Sequence, residues 1–415
     1  MHVILATVGT DGDVFPHLGL GATLCARGHR VTLAAPETYR DRAAAFGMEF
    51  CSLVSADDVK IMLADPDLWH PFRSGMMMAR WGAPMIPHQY QALAELTREP
   101  GAMLVANPGV LAGRLVQEKL GVPMASLLLQ PGLVQTNTAP PVMPGGICIP
   151  HWLPNRLRQF FWLGVDAAGY ALVAPPLNRF RRTLGLSPVR KVFRWWLSPQ
   201  LTMGLFPQWY APLQPDWPPQ LRLAGFGRFD GARPELPQDV TTFCEQGPPP
   251  IAFTLGTGMT HAAQFFRAAV AACERLGARG VLLSKFPCAI PARLPPSVRH
   301  FSYAPFRQLL PLCGAFVHHG GIGTTAAALE AACPQLILPL AWDQPDNAAR
   351  IARMGAGLTL TPRRRTAGHL SHSLAQLLTP KFRNCCREIA SRSSSDNGLE
   401  CAATWVEDLA EFAKR

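Results

Sequence analysis

One pattern constrains this chain more than any other. A short apolar run, a glycine-rich turn and a helix-like stretch follow one another, and the pattern begins twice. Val3 to Val8 is a strand-like run, Gly9 to Gly12 the turn, and Leu18 to Leu24 a helical stretch closed by Arg27-Gly28-His29. Arg30 to Ala34 reads as the next strand. Similar units recur at Met103 to Ala106, through a helix to Leu120, and at Met124 to Leu129. The second start is Ile251 to Leu255, with Gly256-Thr257-Gly258 as its turn and a helix over Gln264 to Leu276. Strands follow at Gly280 to Ser284, Gly314 to His318 and Leu336 to Pro339. Strands alternating with helices predict parallel α/β sheets. Two such series predict two doubly wound domains, each with its ligand at the carboxyl ends of its strands.

Length agrees with two domains. The chain has 415 residues, enough for two cores of roughly 200 residues each. Hydrophobic residues make up 48% and charged residues 16%, which excludes a disordered chain. Many of the 40 prolines fall between residues 199 and 250, and 207–237 is too proline-rich for a regular helix. The expected organisation is an N-terminal domain over 1–207, a Pro-rich linker over 208–237, and a second domain over 238–398. A C-terminal amphipathic helix over 399–415 is placed to cross back to the first domain. The stretch from Met143 to Ser198 reads as less regular, with Trp152, Phe160, Phe161, Trp162, Trp195 and Trp196 set among basic residues.

Several function classes are excluded. Eleven cysteines, an odd number without a CxxC pair, read as reduced thiols in a cytosol. The N-terminus lacks the basic region and cleavage site of a signal peptide. No window of about 18 uncharged apolar residues stands out, so no spanning helix is expected. The expected location is cytoplasmic, with peripheral contact at the inner face of the membrane. Formal net charge is +11, with clusters at Arg179, Arg181 and Arg182, at Arg190, Lys191 and Arg194, and at Arg363 to Arg365. No nucleic-acid motif accompanies them, so no nucleic-acid partner is expected. A solvated basic face, an anionic lipid and an anionic substrate remain. The first turn lacks the G-x-G-x-x-G spacing of a nicotinamide site.

The densest chemistry lies between residues 301 and 350. His318-His319-Gly320-Gly321-Ile322-Gly323-Thr324-Thr325 follows a strand and opens a helix. Glycines let the backbone approach a phosphate, helix N-terminal amides favour an anion, and the imidazole adds a donor. A tight turn without a ligand gives the same pattern. Asp343-Gln344 ends the next strand; an acceptor and an amide suit sugar hydroxyls, and they also suit a helix cap.

Tyr303-Ala304-Pro305, Leu309-Leu310-Pro311, His319-Gly320-Gly321 and Asp343-Gln344 resemble the donor-binding signature of family 1 glycosyltransferases. The resemblance covers nearly the whole chain. Gly9-Thr10-Asp11-Gly12-Asp13-Val14-Phe15-Pro16 is similar to the bacterial opening of that family. The nearest pattern is that of the rhamnosyltransferases of rhamnolipid synthesis. It shows in Pro140-Pro141-Val142, Phe206-Pro207-Gln208-Trp209, Pro215-Asp216-Trp217-Pro218, Gly225-Phe226 and Asp343 to Ala348.

The resemblance implies the GT-B architecture, two Rossmann-like parallel-sheet domains facing a cleft. It implies a nucleotide-sugar donor, with Tyr303 stacked on the base and the backbone near Ala304 contacting it. His319 and the amides around Gly321, Gly323 and Thr324 would hold the diphosphate, with Thr257 reaching it from another strand end. Asp343 and Gln344 would contact the sugar. Plant members carry a carboxylate for the ribose hydroxyls eight residues after the motif histidine; here Ala327 stands there. That favours a dTDP-sugar over a UDP-sugar. Phe306 replaces a frequent glutamine.

Asp13 stands where many members place a histidine base. One base and one displacement give inversion. Its ordinary pKa near 4 requires burial to raise it. It would also cap the helix that starts near Phe15, and His17 is the alternative base. No DxD metal motif appears where this reading would need it, so metal-independent transfer without a cofactor is expected, with His319 and helix amides stabilising the leaving diphosphate. Acceptor-side candidates are Thr10, Gly12, His17, Met77, Trp81, Phe161 and Trp162. Methionines and aromatics would line an apolar channel, and the resemblance implies a hydroxy-fatty-acid acceptor. Competing readings are a UDP-hexose transferase on a sterol or polyketide, a nucleotide-sugar epimerase, and a non-catalytic nucleotide-sugar-binding partner protein. The oligomeric state is open.

Overall fold

The computed structural model describes residues 1–150, 152–229, 231, 235–393 and 397–413. The chain divides into two compact units. Unit 1 comprises Met1–Pro141, Ile147–Gly231 and Asn397–Arg415; unit 2 comprises Val142–Gly146 and Ala232–Asp396.

Unit 1 is built on seven parallel strands: β1 (His2–Ala6), β2 (Arg30–Pro36), β3 (Glu49–Val54), β4 (Ala102–Ala106), β5 (Met124–Leu128), β6 (Leu201–Gly204) and β7 (Leu221–Leu223). Their order is β3-β2-β1-β4-β5-β6-β7. β1, β4 and β5 are buried along their whole length, as their apolar sequences require of strands covered on both faces. Four helices concern the site or its surface: α1 (Asp11–Ala26), α2 (Ser74–Leu96), α3 (Asn155–Thr183) and, at the C-terminus, the helix Gly398–Phe412.

Unit 2 has six parallel strands: β8 (Ile251–Phe253), β9 (Gly280–Leu283), β10 (Val298–Phe301), β11 (Ala315–His318), β12 (Gln335–Ile337) and β13 (Gly357–Thr359). The order is β10-β9-β8-β11-β12-β13. Two helices matter here, α4 (Ile322–Glu330) and α5 (Gln344–Arg353); the C-terminal helix of unit 1 is α6. Both sheets are doubly wound. The chain runs outward from the first strand of each unit, returns, and continues on the other side. The strand order therefore reverses beside β1 in one unit and beside β8 in the other, where such folds hold their ligands.

α6 packs on α1. Arg27 bonds Glu407 at 2.6 Å and also pairs with Glu400, and His29 meets Glu407 at 2.7 Å. Gly398 lies against the Gly225 and Phe226 carbonyls, leaving no room for a side chain.

Three features differ from the sequence reading. β7 falls inside the stretch 208–237 read as a linker, and unit 1 runs on to Gly231; residues 230 and 232–234 of that stretch lie outside the described residues. The segment read as irregular contains α3, 29 residues long. Its signal was masked because apolar residues occur all round it and Pro175-Pro176 interrupt it. By length and composition α3 is also apolar enough to cross a membrane, which corrects the expectation that no such helix exists. One face of α3 is packed: Trp162 is buried and donates Nε1 to the Thr136 carbonyl at 3.0 Å.

Candidate active site

In unit 1 the turn after β1 positions Asp13. α1 begins five residues after Ala6 with Thr10 as its N-cap, and Asp13 falls in its first turn. The Asp13 carboxylate accepts the Thr10 amide at 3.0 Å. The side chain therefore caps the helix, and it also stands at the carboxyl end of β1, next to β4. Burial pushes its pKa up to about 6, against the opposing pull of the Thr10 amide. Gly12 beside it is exposed, with open space where a side chain would go. Gly9, at φ +124, lies so close to Asp13 that a β-carbon would fall 2.2 Å from Oδ2. Only glycine fits there.

Asp11, two residues earlier, accepts Tyr39 Oη at 2.8 Å and Arg42 Nη1 at 2.9 Å. Its charge is thus neutralised locally, and burial is the first cause of the Asp13 shift.

His17 does not suit the role of base. It is fully buried; its Nδ1 lies 2.8 Å from the Asp13 carbonyl, and burial lowers its pKa to about 4. A ring with no exposed surface has no path to an acceptor hydroxyl. Met77 and Trp162 are likewise core residues, each 5% exposed. Phe161 packs edge-on against Trp162, ring centroids 5.4 Å apart. Trp81 is placed differently. It lines a cavity of about 630 Å³ with Leu53, Val54, Met85 and His88, at the carboxyl end of β3, and its buried Nε1 has no hydrogen-bond partner among the described residues. Of the acceptor-side candidates, Thr10 and Gly12 adjoin Asp13, and Trp81 borders a cavity.

In unit 2 the strand ends β8 and β11 meet. The His319 ring lies over the Gly256 turn: a β-carbon on Gly256 would fall 2.8 Å from Cε1, and one on Gly321 would fall 2.6 Å from Nε2. Glycine at both positions is therefore steric necessity. Gly256 and Gly320 also have positive φ, +87 and +95. Thr257 is exposed beside this turn. Gly321 caps α4, whose first amides belong to Ile322, Gly323 and Thr324 and have no partner within a helix. Gly323 has open space around it. His319 Nδ1 and Thr325 Oγ1 are buried there with no partner among the described residues.

The neighbouring His318 fixes this turn. It is fully buried, with Nε2 2.9 Å from Gln335 Oε1, while its Nδ1 accepts the Gly320 amide at 3.1 Å. Burial lowers the pKa of His318 to about 3 and that of His319 to about 4. His319 is therefore neutral before any anion arrives and acts as a hydrogen-bond donor rather than a fixed charge.

Asp343 is the N-cap of α5, preceded by Trp342 at φ +60. A bulky side chain in the left-handed region is strained, and such strain concentrates at functional sites. Asn347 was not given a role from sequence. It is fully buried and donates Nδ2 to the Gly320 carbonyl at 2.9 Å and to Asp343 Oδ2 at 2.7 Å. It therefore ties the carboxylate to the glycine turn. Its spacing of four from Asp343 on one helix was the available signal. Gln344 departs from expectation. Its Oε1 accepts the Leu340 and Ala341 amides at 2.7 and 3.1 Å, and the residue is 2% exposed, so its oxygen closes the turn rather than facing a sugar. Tyr303 is partly exposed and Ala304 buried, at the start of the loop after β10. Ala327 packs against the core of the unit.

The comparisons agree with this geometry. Residues 3–134 match the family model "Glycosyltransferase family 28 N-terminal domain". Residues 288–407 match "Erythromycin biosynthesis protein CIII-like, C-terminal domain". The protein is 29% identical over 99% of its length to O-mycaminosyltylonolide 6-deoxyallosyltransferase of Streptomyces fradiae, covering 98% of that protein. It is 27% identical over 97% of its length to the vancomycin aglycone glucosyltransferase of Amycolatopsis orientalis, covering 96% of that protein. Among solved structures, the calicheamicin glycosyltransferase matches with TM-score 0.74 at 21% identity, covering 99% of this protein and 98% of that one. The spinosyn rhamnosyltransferase complexed with thymidine diphosphate matches with TM-score 0.70 at 19% identity, covering 98% and 100%. The fold is that of GT-B glycosyltransferases. The comparisons support glycosyl transfer from a nucleotide-sugar donor as the activity.

Proposed function

We propose that the protein is an inverting, metal-independent glycosyltransferase that uses a dTDP-sugar, L-rhamnose foremost, and a hydroxyl on a hydrophobic acceptor such as a hydroxy-fatty-acid lipid. The observation that carries the donor half is the neutral His319 with its unpartnered Nδ1, beside unpartnered Thr325 Oγ1 and the free amides at the start of α4. Buried polar atoms without partners call for one, and this set donates to an anion. The diphosphate binds there, and Asp343, held by Asn347, accepts from sugar hydroxyls. A thymine ring stacks on Tyr303.

The chemistry at the acceptor is a single displacement. Asp13 takes the proton of the acceptor hydroxyl as its oxygen attacks the anomeric carbon. The bond to the diphosphate breaks, and the leaving oxygen's charge is met by His319 and the α4 amides. The anomeric centre inverts because only one displacement occurs. Asp13 with a pKa of about 6 is a better base than an ordinary carboxylate and remains ionised at neutral pH.

A thymidine nucleotide is preferred because Ala327 offers no carboxylate to a ribose 2′-hydroxyl. The similar spinosyn rhamnosyltransferase is a thymidine diphosphate complex, which supports both the nucleotide and the sugar. The second reading is a UDP-hexose transferase on a sterol or polyketide. It is favoured by the 26% identity, over 96% of this protein and 64% of the relative, to a sterol 3-beta-glucosyltransferase of Arabidopsis thaliana. Calorimetric titration with dTDP and UDP separates the two. Tighter dTDP binding supports the first reading, and equal or tighter UDP binding supports the second. If neither nucleotide binds, transfer from a nucleotide-sugar is itself discarded.

A further inference from the structure

We propose that the solvent face of α3 is a docking surface for an anionic phospholipid bilayer. Between Arg158 and Arg179 the helix carries one charged side chain, Asp166. That carboxylate is buried and accepts Gln135 Nε2 at 2.9 Å. Apart from Gln159 and Tyr170, the outward positions between those arginines are apolar. Leu157, Phe160 and Leu163 are exposed at intervals of three, exposed Gly164, Ala167, Ala168 and Ala171 continue the face to exposed Leu172, and Phe160 is 66% exposed. At 1.5 Å per residue this stripe, from Leu157 to Leu172, runs about 22 Å. Such a patch on a protein surface marks an interaction site.

Charge identifies the occupant. Between Ile147 and Pro215 the sequence has eight Arg and Lys residues and one carboxylate, the buried Asp166. Arg156 is exposed at one end of the stripe; Arg179, Arg182, Arg190, Lys191 and Arg194 are exposed at or beyond the other. An apolar stripe bracketed by cations in excess of carboxylates fits acyl chains bordered by anionic headgroups. Trp152, 81% exposed, and Tyr170 add the aromatic residues that favour the headgroup level. A second copy of this face would bring cations without matching carboxylates.

α3 lies on the bilayer rather than across it, because its other face is committed to unit 1. Besides the Trp162 bond, Arg181 is buried and pairs with Glu118 at 2.5 Å. Drawing the helix into hydrocarbon would strip both. This surface does not depend on the sugar, nucleotide or acceptor assigned above.

The test is co-sedimentation of the full chain with vesicles of phosphatidylglycerol and phosphatidylethanolamine, against pure phosphatidylcholine. Partition onto the anionic vesicles is expected to be at least about tenfold higher and to fall with salt. The triple variant L157S/F160S/L163S and, separately, R179E/R182E each lose about tenfold or more. All five side chains are exposed, so melting temperatures stay at the parent value. Equal partition onto both vesicle types overturns the proposal, as does unchanged binding by either variant. A dimer seen by sedimentation velocity without lipid, and abolished by the triple variant, also overturns it and gives the face to a second copy.

Discussion

The two units have the same strand order around the reversal point, yet they equip it differently. In unit 1 the turn after β4 satisfies itself: Asn107 Oδ1 accepts the Gly109 amide at 2.8 Å. The proposed base comes instead from the turn after β1, where a carboxylate sits in the first turn of a helix. In unit 2 the turn after β11 is left open. Glycines stand where side chains would clash, and the half-buried His319 is neutral. One scaffold thus presents an anion that seeks a proton, and the other presents donors that seek an anion. Each arrangement costs stability locally, since an ionised Asp13 is desolvated and unpartnered polar atoms are buried. The lesson is that the shared topology fixes where chemistry is placed, while a few residues at the strand ends decide its sign.

If the difference is real, the two turns fail separately. The largest effect is expected at Asp13. Asp13→Asn should lower kcat by at least about 100-fold while the dissociation constant of dTDP stays unchanged. Near-normal turnover would remove Asp13 as the base. In the parent, kcat/KM should fall about tenfold per pH unit below pH 6, because the base must be ionised and its pKa in the free protein is raised to about 6. The variant should lack that limb. Stability gives the opposite sign. An acid whose folded pKa lies above its unfolded value loses stability as pH rises from about 4 to about 6, and the penalty stays in full above that. Asp13→Asn should therefore melt higher than the parent at pH 7 and level with it near pH 3.5. A variant melting lower at both would mean that the Thr10 cap outweighs the desolvation of the carboxylate.

The next effect belongs to unit 2. His319→Ala should weaken dTDP binding by about tenfold, the scale of one hydrogen bond to a charged group, with the acid limb of kcat/KM retained. Unchanged affinity in a calorimetric titration would remove the imidazole from the phosphate site. Gly321→Val is the companion test. Its side chain would meet the His319 ring, so it should lose dTDP affinity at least as far as His319→Ala does.

Much of this was legible in the sequence. Unbroken apolar runs such as Leu104-Val105-Ala106 announce strands buried on both faces, and Gly320-Gly321 between a strand and a helix announces the turn. What stayed hidden has physical causes. β3, with sequence Glu49-Phe50-Cys51-Ser52-Leu53-Val54, lacks a clean period, and β7 has three residues. α3 is apolar on both its packed and its open faces, so no amphipathic pattern marked it. His17 stood as an alternative base because a lone histidine carries no sign of burial in the sequence. The Gln344 side chain looked free because hydrogen bonding to the backbone four residues earlier leaves no trace in composition. Asn347 was part of the motif, but its role appears only once Gly320 and Asp343 are seen within reach of one amide.

That amide gives the smallest and most discriminating prediction. If Asn347 positions Asp343 against the glycine turn, it acts on the sugar end of the donor and not on the nucleotide. Asn347→Ala should then leave dTDP affinity within about twofold while raising the KM for the dTDP-sugar or lowering kcat by about five- to tenfold, the scale of one buried hydrogen bond. Asn347→Asp should be worse than the alanine variant, because it removes the donor and places a second carboxylate 2.7 Å from Asp343 Oδ2. A merely structural residue would behave otherwise: both variants would melt lower, and dTDP and dTDP-sugar affinity would fall together. Equal loss for the free nucleotide and the nucleotide-sugar would therefore break the division of unit 2 into a diphosphate turn and a sugar carboxylate. A selective loss for the sugar would sharpen it, since the Gly320 carbonyl and Asp343 would then be two ends of one polar network joined through Asn347.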